Sequence, residues 1–195
     1  MIEGGKIMSK LYRYSEKEIN NFRGGKVTIA NNQKDIIKFI NKSKIEKDNS
    51  KLYLGKIGND LAQRIKKDIN IDIENYNISL KSDSVRHILN RHSSNNEFLK
   101  GQVPIVDEDF KLISKIISNY DKIRVTGLTK QRKPIITVEK LINNKYYLVN
   151  YISNKNHTFE IKTMYKHKKR TLPLEIMLNS PIQTPKADSG TSSFF

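Results

Sequence analysis

In KIRVTGLTKQRKPIITVEKLINNKYYLVNYISNKNHTFEIKTMYK, residues 122–166, apolar residues recur at every second position. Side chains on a strand alternate between faces, so a period of two marks strands with one buried side. KIRVTGL, PIITVEKLI, YYLVNYIS and TFEIKTMYK separate as four strands, joined by short turns that include NNK and SNKN. Strands joined so tightly pair antiparallel. The run predicts a four-stranded meander.

Upstream the period is helical. DEDFKLISKIISNY (107–120) places Phe110, Ile113, Ile116 and Ile117 on one stripe and starts acidic, as the helix dipole prefers. SVRHILNRHSS (84–94) belongs to a helix capped by Ser82 or Asp83, with Val85, Ile88 and Leu89 as its stripe. SSNNEFLKGQVP, between those helices, is a loop by composition. NDLAQRIKKDI reads as a helix capped by Asn59, and NQKDIIKFINKSK as one with Ile36, Ile37 and Ile40 inward. SEKEINNF offers Ser15 and Glu18 as a capping box. RGGKVTIAN, KLYLGKIG and IENYNISLK are strand-like.

Helices first and a meander last give an α+β expectation, helices packed on a C-terminal four-stranded antiparallel sheet. KIEKDNSK is the candidate boundary, which makes residues 1–48 an N-terminal helical extension and 49–172 the main domain. Residues 173–195 read as a flexible Pro/Ser/Thr-rich tail.

The 195 residues hold 36 Lys+Arg against 20 Asp+Glu, a formal net charge of +16. Such a charge favours polyanions, nucleic acid before anionic membrane surfaces, although Lys- and Asn-rich composition alone also makes a chain basic. Cysteine is absent, which excludes disulfides, thiolate zinc sites and cysteine nucleophiles. No apolar run approaches the roughly 18–20 residues of a membrane span, and MIEGGKIMSKLYRY lacks the apolar centre of a signal peptide. A cytoplasmic chain without a membrane partner is expected.

Polar residues that break apolar rows point to chemistry. His92 follows Ile88 by four residues and Leu89 by three, so it extends the buried stripe. His87 and Arg91 lie together on a flanking face. On structural grounds alone, His92 would cap the helix end and His87 would sit in water. Thr163 and Tyr165 continue the alternation of Phe159 and Ile161, and Lys140 interrupts the row Ile136, Val138, Ile142. Lys140 either snorkels to water or borders a cleft that holds an anion. KTMYKHKKR supplies Lys162, Lys166, His167, Lys168, Lys169 and Arg170 with no acid, an edge suited to phosphates or to a solvated edge strand.

Metal-free RNA cleavage needs a base for the 2′-hydroxyl, an acid for the leaving oxygen, and donors for the charged phosphorane. Histidine serves either proton role near neutrality. Lys, Arg, Thr and Tyr supply charge and hydrogen bonds. No metal site and no cofactor are expected: acidic and His residues lack ligand spacing, and HxxxxH on a helix splays its imidazoles about 140° apart.

LYLGKIGNDLAQRI, ISLKSDSVRHILNRHS, a helix opening VDEDF, and FEIKTMYK together resemble phage-associated nuclease domains of the barnase–EndoU–colicin–RelE group, often called PBECR domains. The similarity covers roughly residues 50–170. It implies a BECR-like ribonuclease fold, a cleft between helices and sheet, and metal-independent transesterification to a 2′,3′-cyclic phosphate. It matches His87 and His92 to helix histidines and Thr163 to a last-strand hydroxyl. Tyr165, Lys140 and Arg91 are added by facing and charge. A phage or toxin ribonuclease acting on tRNA or mRNA is the expectation, with an immunity protein or antitoxin as a further partner. Two alternatives stay open: a non-catalytic nucleic-acid-binding module, and a phage protein that docks a host factor.

Overall fold

A computed structural model of the chain describes residues 26–169. In order these form β1 (Val27–Ile29), α1 (Gln33–Ile45), β2 (Lys51–Lys56), α2 (Asn59–Ile69), β3 (Asn77–Lys81) and α3 (Ser82–His92). A 3₁₀ turn (Asn95–Lys100), β4 (Gln102–Val103), a second 3₁₀ turn (Asp107–Leu112) and α4 (Ile113–Ser118) follow. The chain then runs through β5 (Lys122–Leu128), β6 (Pro134–Ile142), β7 (Asn144–Ser153) and β8 (Thr158–Lys168). The Ser15–Glu18 capping box, Arg170 and the tail lie outside the described residues.

The period-two run forms the meander expected of it, β5 to β8, each strand antiparallel to the next. The sheet does not stop at four strands, however. It has eight, in the order β1-β2-β3-β8-β7-β6-β5, with β4 also on β8. The extension rests on a parallel pairing of β3 with β8, Ile78 beside Phe159 and Leu80 beside Ile161. Parallel partners are joined by long crossovers, so no turn signal announces them. β2 pairs antiparallel with β3, and β1 pairs parallel with β2. The part of residues 1–48 described thus adds a strand to this sheet. Its helix α1 sends Ile36, Phe39 and Ile40 into the common core.

That core lies on one face of the sheet. Ile136, Val138, Leu148, Phe159, Ile161 and Met164 meet Ile40, Val85, Ile88, Phe110, Ile113 and Ile116, all buried. The expected single helix over 107–120 is split. Phe110, Ile113, Ile116 and Ile117 are buried as its stripe requires, but the first turns wind as 3₁₀. There the Asp109 carboxylate accepts the Val106 N–H at 2.7 Å and still reaches inward. Caps differ from expectation by one residue: Gly58 precedes α2 and Lys81 precedes α3. α1 carries a full capping box, with Asn32 Oδ1 accepting from the Lys34 N–H at 2.8 Å and the Asp35 N–H at 3.2 Å. Asn32→Ala is expected to cost about 1 kcal/mol, read as a lower urea midpoint with an unchanged slope.

One bulge decides which side chains of β8 face where. Asn150 pairs with Ile161 but Val149 pairs with Thr163, so Lys162 is an extra residue. An added residue reverses the alternation beyond it. Phe159 and Ile161 face the helices, and then Met164 and Lys166 take that side. Thr163 and Tyr165 therefore do not continue the Phe159–Ile161 row; they occupy the opposite face. Lys166 is likewise corrected, from a phosphate contact to a buried ion pair. Its Nζ sits 2.7 Å from Asp109 Oδ2, and Tyr146 donates its hydroxyl to Asp109 Oδ1 at 2.6 Å.

Candidate active site

The face opposite the helices is ordered by strand register. Lys122, Glu139, Tyr147 and Tyr165 stand side by side across β5, β6, β7 and β8. Tyr147 and Tyr165 stack, with centroids 4.8 Å apart and planes at 9°. In the next row Lys145 pairs with His167, whose ring meets Tyr147 edge-on at 5.5 Å and Tyr165 at 5.8 Å. β8 is bordered by β3 up to Ile161 and by β4 from Lys166, and α3 packs against it. This brings His92, at the end of α3, to 5.8 Å from the Tyr165 ring. Tyr165 is thereby flanked by two imidazoles.

Each imidazole is held through Nδ1. His92 Nδ1 lies 3.0 Å from Glu97 Oε2, and His167 Nδ1 lies 3.0 Å from the Gly101 carbonyl oxygen. A carboxylate and a carbonyl only accept, so Nδ1 carries the hydrogen in both rings and Nε2 is left to meet a substrate. Glu97 is 1% exposed, and its other oxygen takes Lys100 Nζ at 2.7 Å. Lys100 first, and then His92, hold this carboxyl below the usual carboxylate range. It is the anion in this group.

Cations stand across the row. Glu139, also 1% exposed, pairs with Arg124 from β5 and with Lys145 at 2.9 Å. Two cations on one carboxylate leave a net positive charge beside the tyrosines. The Tyr165 hydroxyl is pushed up by burial and by Tyr147, with Arg124 opposing, so it remains a proton donor at neutral pH. Thr163 lies on the same face, and its Oγ1 is buried with no hydrogen-bond partner among the described residues. A cleft of about 820 Å³ opens beside His167 and Tyr147, lined also by Lys100, Lys145, Lys168 and Lys169, with Leu141 and Gly101. Such a site can move protons at two imidazoles and stabilise an anion between cations.

Other expected site residues are placed differently. Lys140 lies on the helix-side face, where its Nζ meets Asp121 Oδ1 at 2.6 Å, and Asp121 Oδ2 also accepts the Leu141 N–H at 2.7 Å. The lysine that interrupts an apolar row is thus tied at the sheet end, on the side away from Tyr165. His87 is half-buried on α3, and burial, then Lys162, Arg91 and His92, push its pKa down. Arg91 and Lys162 are exposed near it. Lys168 reaches over the Phe98 ring at 5.8 Å. Arg124, Glu139 and Glu97 escaped the sequence reading because each occupies a polar phase or a loop, where a charged residue is ordinary. Only strand register singles out the first two.

Among the described residues no group of three or more His, Asp or Glu could hold a metal ion, and no helix is long and apolar enough to cross a membrane. A family model described as phage-Barnase-EndoU-ColicinE5/D-RelE like nuclease3 matches residues 55–172, more than half of the chain. No curated protein and no solved structure matches.

Proposed function

Since the chain belongs to the phage-Barnase-EndoU-ColicinE5/D-RelE like nuclease3 family, we propose that the Tyr165 face is the active site of a metal-independent ribonuclease. The observation that carries this reading is the pair of imidazoles flanking Tyr165, each tied at Nδ1 to an acceptor. One Nε2 takes the proton of the ribose 2′-hydroxyl. The 2′-oxygen then bonds to the adjacent phosphorus. The bond from phosphorus to the 5′-oxygen breaks, and the second imidazolium protonates that leaving oxygen. A 2′,3′-cyclic phosphate and a 5′-hydroxyl result. Arg124, Lys145 and the Tyr165 hydroxyl offset the charge that gathers on the phosphoryl oxygens, and Thr163 Oγ1 is free to donate there.

His167 replaces His87 as the partner of His92 in this reading, because His87 faces a cluster of positive groups instead of the tyrosine stack. Lys168 and Lys169 bind the strand's backbone along the cleft. In this reading the protein acts in a cytoplasm as a phage or toxin nuclease, with an immunity protein or antitoxin as its proposed further partner. The test is incubation of total RNA with the protein in excess EDTA. Fragments ending in cyclic phosphate are expected. Salt-sensitive RNA binding without cleavage at any pH from about 5 to 8, the range where histidine titrates, would make it a binding module instead.

A further inference from the structure

Glu97 has no part in the proton steps above, yet it is as deeply buried as Glu139, and it alone of the two holds an imidazole. It sits on the 3₁₀ turn over Asn95–Lys100, with its side chain 1% exposed. Its two oxygens are divided between unlike partners. Oε2 holds His92 Nδ1 at 3.0 Å, and Oε1 holds Lys100 Nζ at 2.7 Å. The partners differ in exposure, His92 at 18% and Lys100 at 62%. The turn that carries the carboxylate is fixed on both sides. The Gly101 N–H bonds the Phe98 carbonyl at 3.0 Å, and β4 locks the following residues onto β8. The Ile105 N–H also bonds the His92 carbonyl at 2.6 Å. A carboxylate so held restricts the ring it binds, because one nitrogen of an imidazole fixes the role of the other.

We propose that Glu97 is the positioning residue for His92, presenting its Nε2 to substrate, and that Lys100 tunes the proton on that ring by sharing the carboxylate. This rests on the ribonuclease reading for its chemistry but not for its geometry. The other groups facing His92 are Tyr165 from β8 and His87 from its own helix, with His167 beyond Tyr165. Of the described groups in contact with the ring, Glu97 alone is an anion. A carboxylate favours the imidazolium, and a cation on that carboxylate weakens the effect. Removing the two partners therefore moves His92 in opposite directions.

The experiment follows the His92 ring resonance against pH by NMR in the full chain, assigned with His92→Ala, and compares the pH–rate profile on RNA. Glu97→Gln is expected to lower the His92 midpoint and Lys100→Ala to raise it. The limb of the rate profile set by His92 follows each shift. Glu97→Gln slows cleavage by less than the roughly 10²–10⁴-fold that a proton-transfer group supplies, and Glu97→Asp recovers part of that loss. Loss of structure in Glu97→Gln cannot imitate an upward shift in Lys100→Ala, whose side chain is largely exposed. Cleavage that persists with both midpoints unmoved, or moved the same way, overturns the proposal and spares the ribonuclease reading. Opposite shifts in a protein that cuts no RNA uphold the tuning and overturn that reading.

Discussion

His92→Ala is expected to slow RNA cleavage by about 10²–10⁴-fold while the protein keeps its fold. The fold survives because the ring lies at the end of α3, beyond the buried Val85 and Ile88 that anchor the helix, and its polar tie among the described residues is the single one to Glu97. Truncation also leaves no orphaned charge, since Glu97 keeps Lys100. The loss is expected on kcat more than on KM, because the proposed mechanism gives the substrate's phosphates to Arg124, Lys145 and the lysines of the cleft. A residue of activity remains from those cations. Single-turnover cleavage and a thermal melt on the same sample separate the two effects. His167→Ala costs a comparable factor and His87→Ala far less. If His87→Ala matches His92→Ala and His167→Ala does not, the proton pair is drawn on the wrong residues.

Asp109→Ala carries the largest expected loss of stability, about 3–5 kcal/mol. The side chain accepts from three groups: Lys166 Nζ, the Tyr146 hydroxyl and the Val106 N–H. Lys166 is 7% exposed on the helix side of the sheet and rests 5.7 Å from the Tyr146 ring centroid. Without Asp109 a charged ammonium stays in the core with that ring as its remaining partner among the described residues. The Tyr146 hydroxyl, also buried, loses its acceptor. Urea denaturation shows the effect as a fall in midpoint. Replacing both partners, Asp109→Leu with Lys166→Met, is expected to restore most of the loss, since an apolar pair of similar volume needs no compensation. A double variant as unstable as the single one would mean that Val106 and Tyr146 account for the cost.

The two variants mark how far the sequence was legible. The meander and the helix stripes were readable because strand alternation, short turns and 3.6-residue spacing are local. The β3–β8 pairing was not, because Leu80 and Ile161 meet across eighty residues with no turn between them. The bulge at Lys162 was hidden as well, and it swapped the faces of everything after it. Lys166 thus moved from the presumed RNA surface to the core, while Tyr165 moved to the face where His92 and His167 meet it. The place of His92 on the stripe that turns toward the sheet was legible from helix phase, but its proposed role came from the family resemblance. Glu97 and Glu139 were not, since a lone carboxylate on a polar phase looks like any solvated residue until register and burial are known.

The strand order has a consequence in time. β8 is the last strand of the described chain, yet it lies at the centre of the sheet, with β1 to β3 on one side and β5 to β7 on the other. The earlier strands can form a hairpin or a meander by local pairing, but the two halves stay separate until residues 158–168 slot between them. Pairings so distant in sequence form late and slowly. Tyr165 and His167 travel on that strand, and His92 meets its partner only once the strand is in place. During synthesis the growing chain therefore holds histidines, lysines and carboxylates with no working arrangement among them. The ribosome making it has finished residue 168 before the proposed cutting face can exist.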